Sequence, residues 1–216
     1  IDGEGTCSLT TRLDSFLDGG SLWVEFTAID GALTVADLEW TVPAPQQIRP
    51  VAIAICTFNR ADDCAATLAA IADDTELSKT VDAVYVVDQG NDHVSDRPLF
   101  SRVAADLGSK LHYLRQANLG GAGGFTRGLF EISAADDHAN VILMDDDILC
   151  EPESILRMNA FANVTKEPML VGAQMLYLMN PDRLHVGAEE ADLSKLKAGR
   201  WAAGSRHNAN MLKKRQ

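Results

Sequence analysis

The chain has 216 residues, 46% of them hydrophobic, enough for one substantial core with a small accessory piece beside it. It contains no apolar run of about eighteen residues and no leader-like start, so the sequence predicts a soluble chain that spans no membrane. A formal net charge of -12 argues against general nucleic-acid binding, although from Lys195 onward seven basic residues occur with no acidic one.

Near the start, Leu22, Val24 and Phe26, then Leu33, Val35 and Leu38, alternate with polar positions and predict β-strands within residues 1–42. Pro43, Pro45 and Pro50 make residues 43–50 an extended linker. From Val51 the rhythm changes. Apolar runs predict strands at 51–56, 83–87, 110–114 and 141–144, and helical spacing predicts helices at 65–71, 99–107 and 124–135. The expected fold class is therefore α/β, with a mostly parallel sheet covered by helices on both faces over residues 51–216 and a few β-strands before it. Cys7, Cys56, Cys64 and Cys150 form no CxxC pair, which favours free thiols in a reducing compartment over zinc or disulfides. The sequon at Asn163 reads as incidental.

In such sheets ligands lie beyond the carboxyl ends of the strands, so the polar residues after each apolar run are the site candidates. Thr57, Phe58 and Arg60 follow the first strand, with Asp62 and Asp63 as expected caps of the next helix. Arg60 suits a diphosphate, or a surface ion pair with Asp62 or Asp63. Asp88 ends the second strand and suits either a base or ribose hydroxyl, or a turn with Gly90. Asn118 to Arg127 holds four glycines, Gly121 among them, between a strand and a helix. The spacing departs from GxGxxG because Thr126 stands at the last glycine position, so a dinucleotide fingerprint is not supported. Asp145, Asp146 and Asp147 close an apolar strand. Three adjacent carboxylates are costly without a counter-charge, and extended geometry would converge Asp145 and Asp147 on a hard cation, Mg²⁺ or Mn²⁺. The competing reading is an exposed acidic turn. No GxxxxGK[ST] loop occurs, which removes the phosphate cradle of a nucleotide hydrolase.

Together, Ala54-Ile-Cys-Thr-Phe-Asn-Arg60, Val87-Asp-Gln-Gly90, Gln116-Ala-Asn-Leu-Gly-Gly-Ala-Gly-Gly124 and Met144-Asp-Asp-Asp-Ile148 resemble the inverting GT-A glycosyltransferases of family 2. The likeness is closest to the actinobacterial galactofuranosyltransferases that polymerise cell-wall galactan, and extends through Glu151–Arg157, Pro168–Met175 and Leu184–Gly187. Asp18-Gly-Gly20 resembles the end of that family's N-terminal β domain.

The resemblance implies an enzyme, a hexosyltransferase taking UDP-galactofuranose, with a rhamnosyl or hexosyl donor or a non-catalytic nucleotide-sugar-binding fragment as alternatives. It implies Mn²⁺ or Mg²⁺ on Asp145 and Asp147. UDP-sugar would lie near Thr57, Phe58, Arg60, Asp88, Asn118, Gly121, Asp145 and Asp146. The family's catalytic base and a later metal-binding histidine would fall beyond Gln216, so the chain is expected to be a fragment. Implied partners are the UDP-sugar and a lipid-linked galactan acceptor, with no nucleic acid. The resemblance leaves room for peripheral membrane contact through the basic tail, for a homo-oligomer, and for a cytoplasmic location at the inner membrane face.

Overall fold

The computed structural model describes residues 5–13, 22–135, 138–173, 175–186, 188–192, 194 and 197–201. Contacts gather them into two units, Val42–Ala173 and a second drawn from Ile1–Thr41 and Gln174–Gln216.

The first unit holds β1 (Val51–Thr57), α1 (Ala61–Asp73), α2 (Thr75–Thr80), β2 (Val81–Asp88), α3 (Pro98–Leu107), β3 (Leu111–Arg115), α4 (Gly120–Ala135), β4 (Asn140–Asp145) and α5 (Pro152–Val164). Its four strands form one parallel sheet in the order β3-β2-β1-β4. The chain runs outward from β1 to β3, then crosses back to add β4 on the far side of β1. Parallel strands need covered faces, and β1 shows why its run is apolar throughout. Val51, Ile53 and Ile55 enter the larger core with Cys64, Leu68 and Ile71 of α1 and Val103 of α3. Ala52 and Ala54 face the opposite layer with Tyr85 and Ile132.

That second face explains two glycines of α4. A Cβ on Gly128 would stand 2.7 Å from the Ala54 Cβ, and one on Gly124 would overlap the Cys56 sulfur. Glycine on the helix and alanine on the strand therefore let α4 lie flat on β1. The helix also starts four residues before the expected Gly124. Gly120 takes a positive φ of 68°, and its N–H donates to Asn118 Oδ1 at 2.9 Å, so the asparagine side chain satisfies a first-turn amide.

Two helices escaped the pattern reading, α2 and α5. Asp74 Oδ1 caps α2 by accepting from Leu77 N at 2.7 Å. On α5 the inward positions include amides, which hold the linker: Asn163 Oδ1 accepts from Arg49 N, and the Asn159 and Asn163 amides donate to Arg49 O. Asn163, the sequon residue, is thus engaged with backbone. Asp62 and Asp63 lie in the first turn of α1, where their charge favours the helix dipole, but neither caps it.

In the second unit, β5 (Met175–Tyr177) pairs antiparallel with β6 (Asn180–Val186), and β7 (Ala188–Asp192) with β8 (Lys197–Trp201). The strands expected around Leu22–Phe26 and Leu33–Leu38 do not form. Among the described residues before Val51 no ladder is present, and Leu22, Phe26, Leu33 and Leu38 are exposed. Alternation marks the side a strand would bury, but a strand also needs a partner edge for its backbone. Asp18-Gly-Gly20 and most of the basic tail lie outside the described residues. No helix among the described residues is long and apolar enough to cross a membrane.

Candidate functional site

The carboxyl ends of β1, β2 and β4 and the start of α4 surround a cavity of about 360 Å³, lined by Cys56, Phe58, Arg60, Gln89, Asn118, Gly120, Gly121, Phe125, Asp145 and Asp146. Six of the expected site residues meet there: Phe58, Arg60, Asn118, Gly121, Asp145 and Asp146. Thr57, Asp88 and Asp147 do not line it.

Thr57 is buried at the end of β1, and its Oγ1 makes no hydrogen bond. It lies near enough to Asp146 to ease that carboxylate's charge without reaching normal hydrogen-bond geometry. Asp88 is consumed from within. Its Oδ1 accepts from Gly90 N at 2.9 Å, and its Oδ2 accepts from Val94 N at 3.2 Å and from the Tyr113 hydroxyl, with His93 Nδ1 at 3.3 Å. Of its two sequence readings, the turn is the one the geometry displays.

Gln89, next in sequence, reaches the cavity instead. Its Nε2 donates to Gly120 O at 3.0 Å and to Cys56 Sγ at 3.2 Å, while its Oε1 accepts from Leu119 N at 2.9 Å and Gln116 Nε2 at 3.0 Å. One amide therefore ties β1, β2 and the glycine loop together. Sequence reading marked the loops that contain Gln89 and Gly120 without singling either out. It missed Cys56 and Phe125, the latter one helical turn beyond Gly121. Burial and the neighbouring Asp146 push the Cys56 thiol up, the direction that disfavours the thiolate.

At the acidic end Asp145 and Asp146 line the cavity, whereas Asp147 pairs with Arg60 outside that lining. β4 stops at Asp145 and the chain turns, so two-residue alternation no longer governs the next side chains. The turn is pinned by Thr67 of α1, whose hydroxyl donates to Asp146 O at 3.0 Å. Burial, then the charge of Asp147, push the Asp146 carboxyl up. Asp147 is held by Arg60 at 3.0 Å, and Arg60 also lies 3.5 Å from Asp63. The acidic triplet is thus neither a free exposed turn nor a closed metal shell. Among the described residues no three His, Cys, Asp or Glu side chains gather as ready-made ligands.

Residues 47–211 match the profile described as Glycosyltransferase like family 2. The chain is 41% identical over 194 residues to galactofuranosyltransferase GlfT2 of Mycolicibacterium smegmatis, covering 88% of this chain and 30% of that protein. It is 43% identical over 184 residues to GlfT2 of Mycobacterium tuberculosis, covering 84% of this chain and 29% of that protein. The chain thus spans about 30% of the length of these curated relatives. Among solved structures, the mannosyltransferase PcManGT from Pyrobaculum calidifontis in complex with GDP-Man and Mn²⁺ aligns over 59% of this chain and 35% of its own, with 20% identity and a TM-score of 0.43. A 4-diphosphocytidyl-2C-methyl-D-erythritol synthase aligns over 71% of this chain and 72% of its own, with 14% identity and a TM-score of 0.39. With the profile match taking in every wall of the cavity, the chain belongs to glycosyltransferase family 2.

Proposed function

We propose that this chain carries the nucleotide-sugar site of a metal-dependent inverting glycosyltransferase, with UDP-galactofuranose as donor and a galactan chain as acceptor. The observation that carries it is the cavity at the strand ends, where an arginine, two carboxylates and an asparagine-led glycine loop meet. The identity to two galactofuranosyltransferases supports the sugar. In this reading residues 51–216 belong to the donor domain, 43–50 to its linker, and 1–42, which form no ladder among the described residues, to the end of a preceding β-rich domain.

The donor set fits a hard divalent cation. The carboxylates offer oxygen alone, and the buried Asp146 charge, raised in pKa, calls for a counter-charge beside it. Asp145 and Asp147 would hold Mn²⁺ or Mg²⁺, with Asp147 exchanging its present Arg60 partner for the cation, whose charge would stabilise the departing nucleoside diphosphate. Arg60 supplies the second positive group. Its present partners are exposed, and such pairs contribute about 0–1 kcal/mol, so exchanging one for phosphate oxygens costs little. Phe58 offers a half-exposed ring for the base, and Asn118 and Gly121 bring a helix start to the phosphates.

Calorimetric titration of UDP into the chain tests this. Heat is expected with Mn²⁺ present and is expected to vanish with EDTA. Arg60→Ala should weaken UDP by roughly 10- to 100-fold, the worth of a charge-assisted hydrogen bond. A folded sample with Mn²⁺ and no UDP heat would sink the reading. Competition between UDP-galactofuranose and rhamnosyl or other hexosyl nucleotides then separates the donors.

A further inference from the structure

Between Phe58 and Arg60, both on the cavity wall, stands Asn59, which does not line it. Asn59 has a φ of 55°, in the left-handed region that costs an ordinary L-residue roughly 1–2 kcal/mol and that asparagine tolerates best after glycine. Its side chain points across to the loop after β2. There Oδ1 accepts from two backbone amides, Asn91 N at 2.8 Å and Asp92 N at 3.1 Å.

The receiving loop is shaped for this contact. A Cβ on Gly90 would lie 2.6 Å from Asn59 Oδ1 and 2.7 Å from Asn59 N, so only glycine lets the two backbones approach so closely. Asp88 holds the loop from beneath through Gly90 N and Val94 N. Arg97 closes the same seam further out, reaching Asp62 at 2.6 Å and Asp92 at 2.7 Å.

We infer that Asn59 is a positioning residue for the donor pocket: its carbonyl, latched to the Gly90 loop, holds the abrupt strand-to-helix turn that sets Phe58 and Arg60 on one wall. The inference rests on the donor-site reading above and adds a residue with no ligand contact of its own. The latch acts through a carbonyl acceptor and a left-handed backbone, and these are separable. Glycine keeps the backbone and removes the acceptor, whereas aspartate keeps both.

The test is UDP affinity by calorimetry with Mn²⁺, measured at about 0.15 M and at about 1 M salt, where screening shortens to about 3 Å and the charge added by aspartate is separated from the latch, together with the melting temperature of each variant. Asn59→Gly is expected to weaken UDP about tenfold. Asn59→Asp is expected to recover binding to within about threefold of the parent chain. Should the glycine variant fail to fold, Gly90→Ala breaks the latch from the other side and is expected to produce the same loss. A glycine variant that melts lower yet binds UDP within twofold of the parent assigns Asn59 to the fold alone and overturns the inference. An aspartate variant as weak as the glycine variant overturns it too. A parent chain that binds no UDP overturns the donor-site reading and the latch with it, while normal parent binding with an unaffected glycine variant removes the latch only.

Discussion

Asp88 illustrates how a side chain's partners decide what its position at a strand end means. In sequence it is the polar residue after an apolar run and serves equally as a ligand group or a turn former. In the structure its carboxylate is buried and accepts from two backbone amides and a tyrosine hydroxyl. Removing it strands those donors, each at about 1–3 kcal/mol, so Asp88→Ala is expected to cost at least about 3 kcal/mol. That corresponds to a melting temperature lower by roughly 6–12 °C in a thermal-shift measurement. A variant that lost UDP affinity at unchanged melting temperature would instead make Asp88 a direct ligand group. Arg60 is the converse case. Its two ion pairs are exposed and exchangeable, and it faces the cavity as its position after β1 suggested.

At the level of elements, the alternation of strands and helices was readable because the buried strands are continuous apolar runs. The glycine stretch was harder. Local chemistry assigns four glycines in five residues to a loop, but they form the first turns of α4, where Gly124 packs on Cys56 and, one turn further, Gly128 on Ala54. Helix propensity alone predicts that alanine in place of Gly128 would stabilise α4 by about 0.8–1 kcal/mol. Close approach predicts the opposite, because the new methyl would sit 2.7 Å from Ala54 Cβ, and overpacking costs about 1–3 kcal/mol. We expect packing to win, so Gly128→Ala should lower the midpoint of urea unfolding by the equivalent of about 1 kcal/mol. The acidic turn escaped for a related reason: where β4 ends depends on its pairing to β1, which runs as far as Cys56 opposite Asp145. α5 escaped because its inward face uses asparagine to bind the linker, a partnership invisible to hydrophobic periodicity.

At the scale of the molecule, among the described residues both hydrophobic clusters and all walls of the strand-end cavity come from Val42–Ala173. A chain cut to residues 42–173 is therefore expected to fold and to bind UDP with Mn²⁺ within about threefold of the 216-residue chain. Calorimetry on the shortened chain checks this, and loss of binding in a folded sample would mean that residues outside the unit complete the site. The first forty residues were the least legible part, since their period-two pattern specifies a strand face and leaves its partner unnamed. The saturated amide of Gln89 carries a further consequence. Because all four of its hydrogen bonds are made before any ligand arrives, the Gln89 side chain has little freedom left to lose on binding. The entropy of capture therefore falls on the rim, where Arg60 must let go of one carboxylate to take hold of another anion.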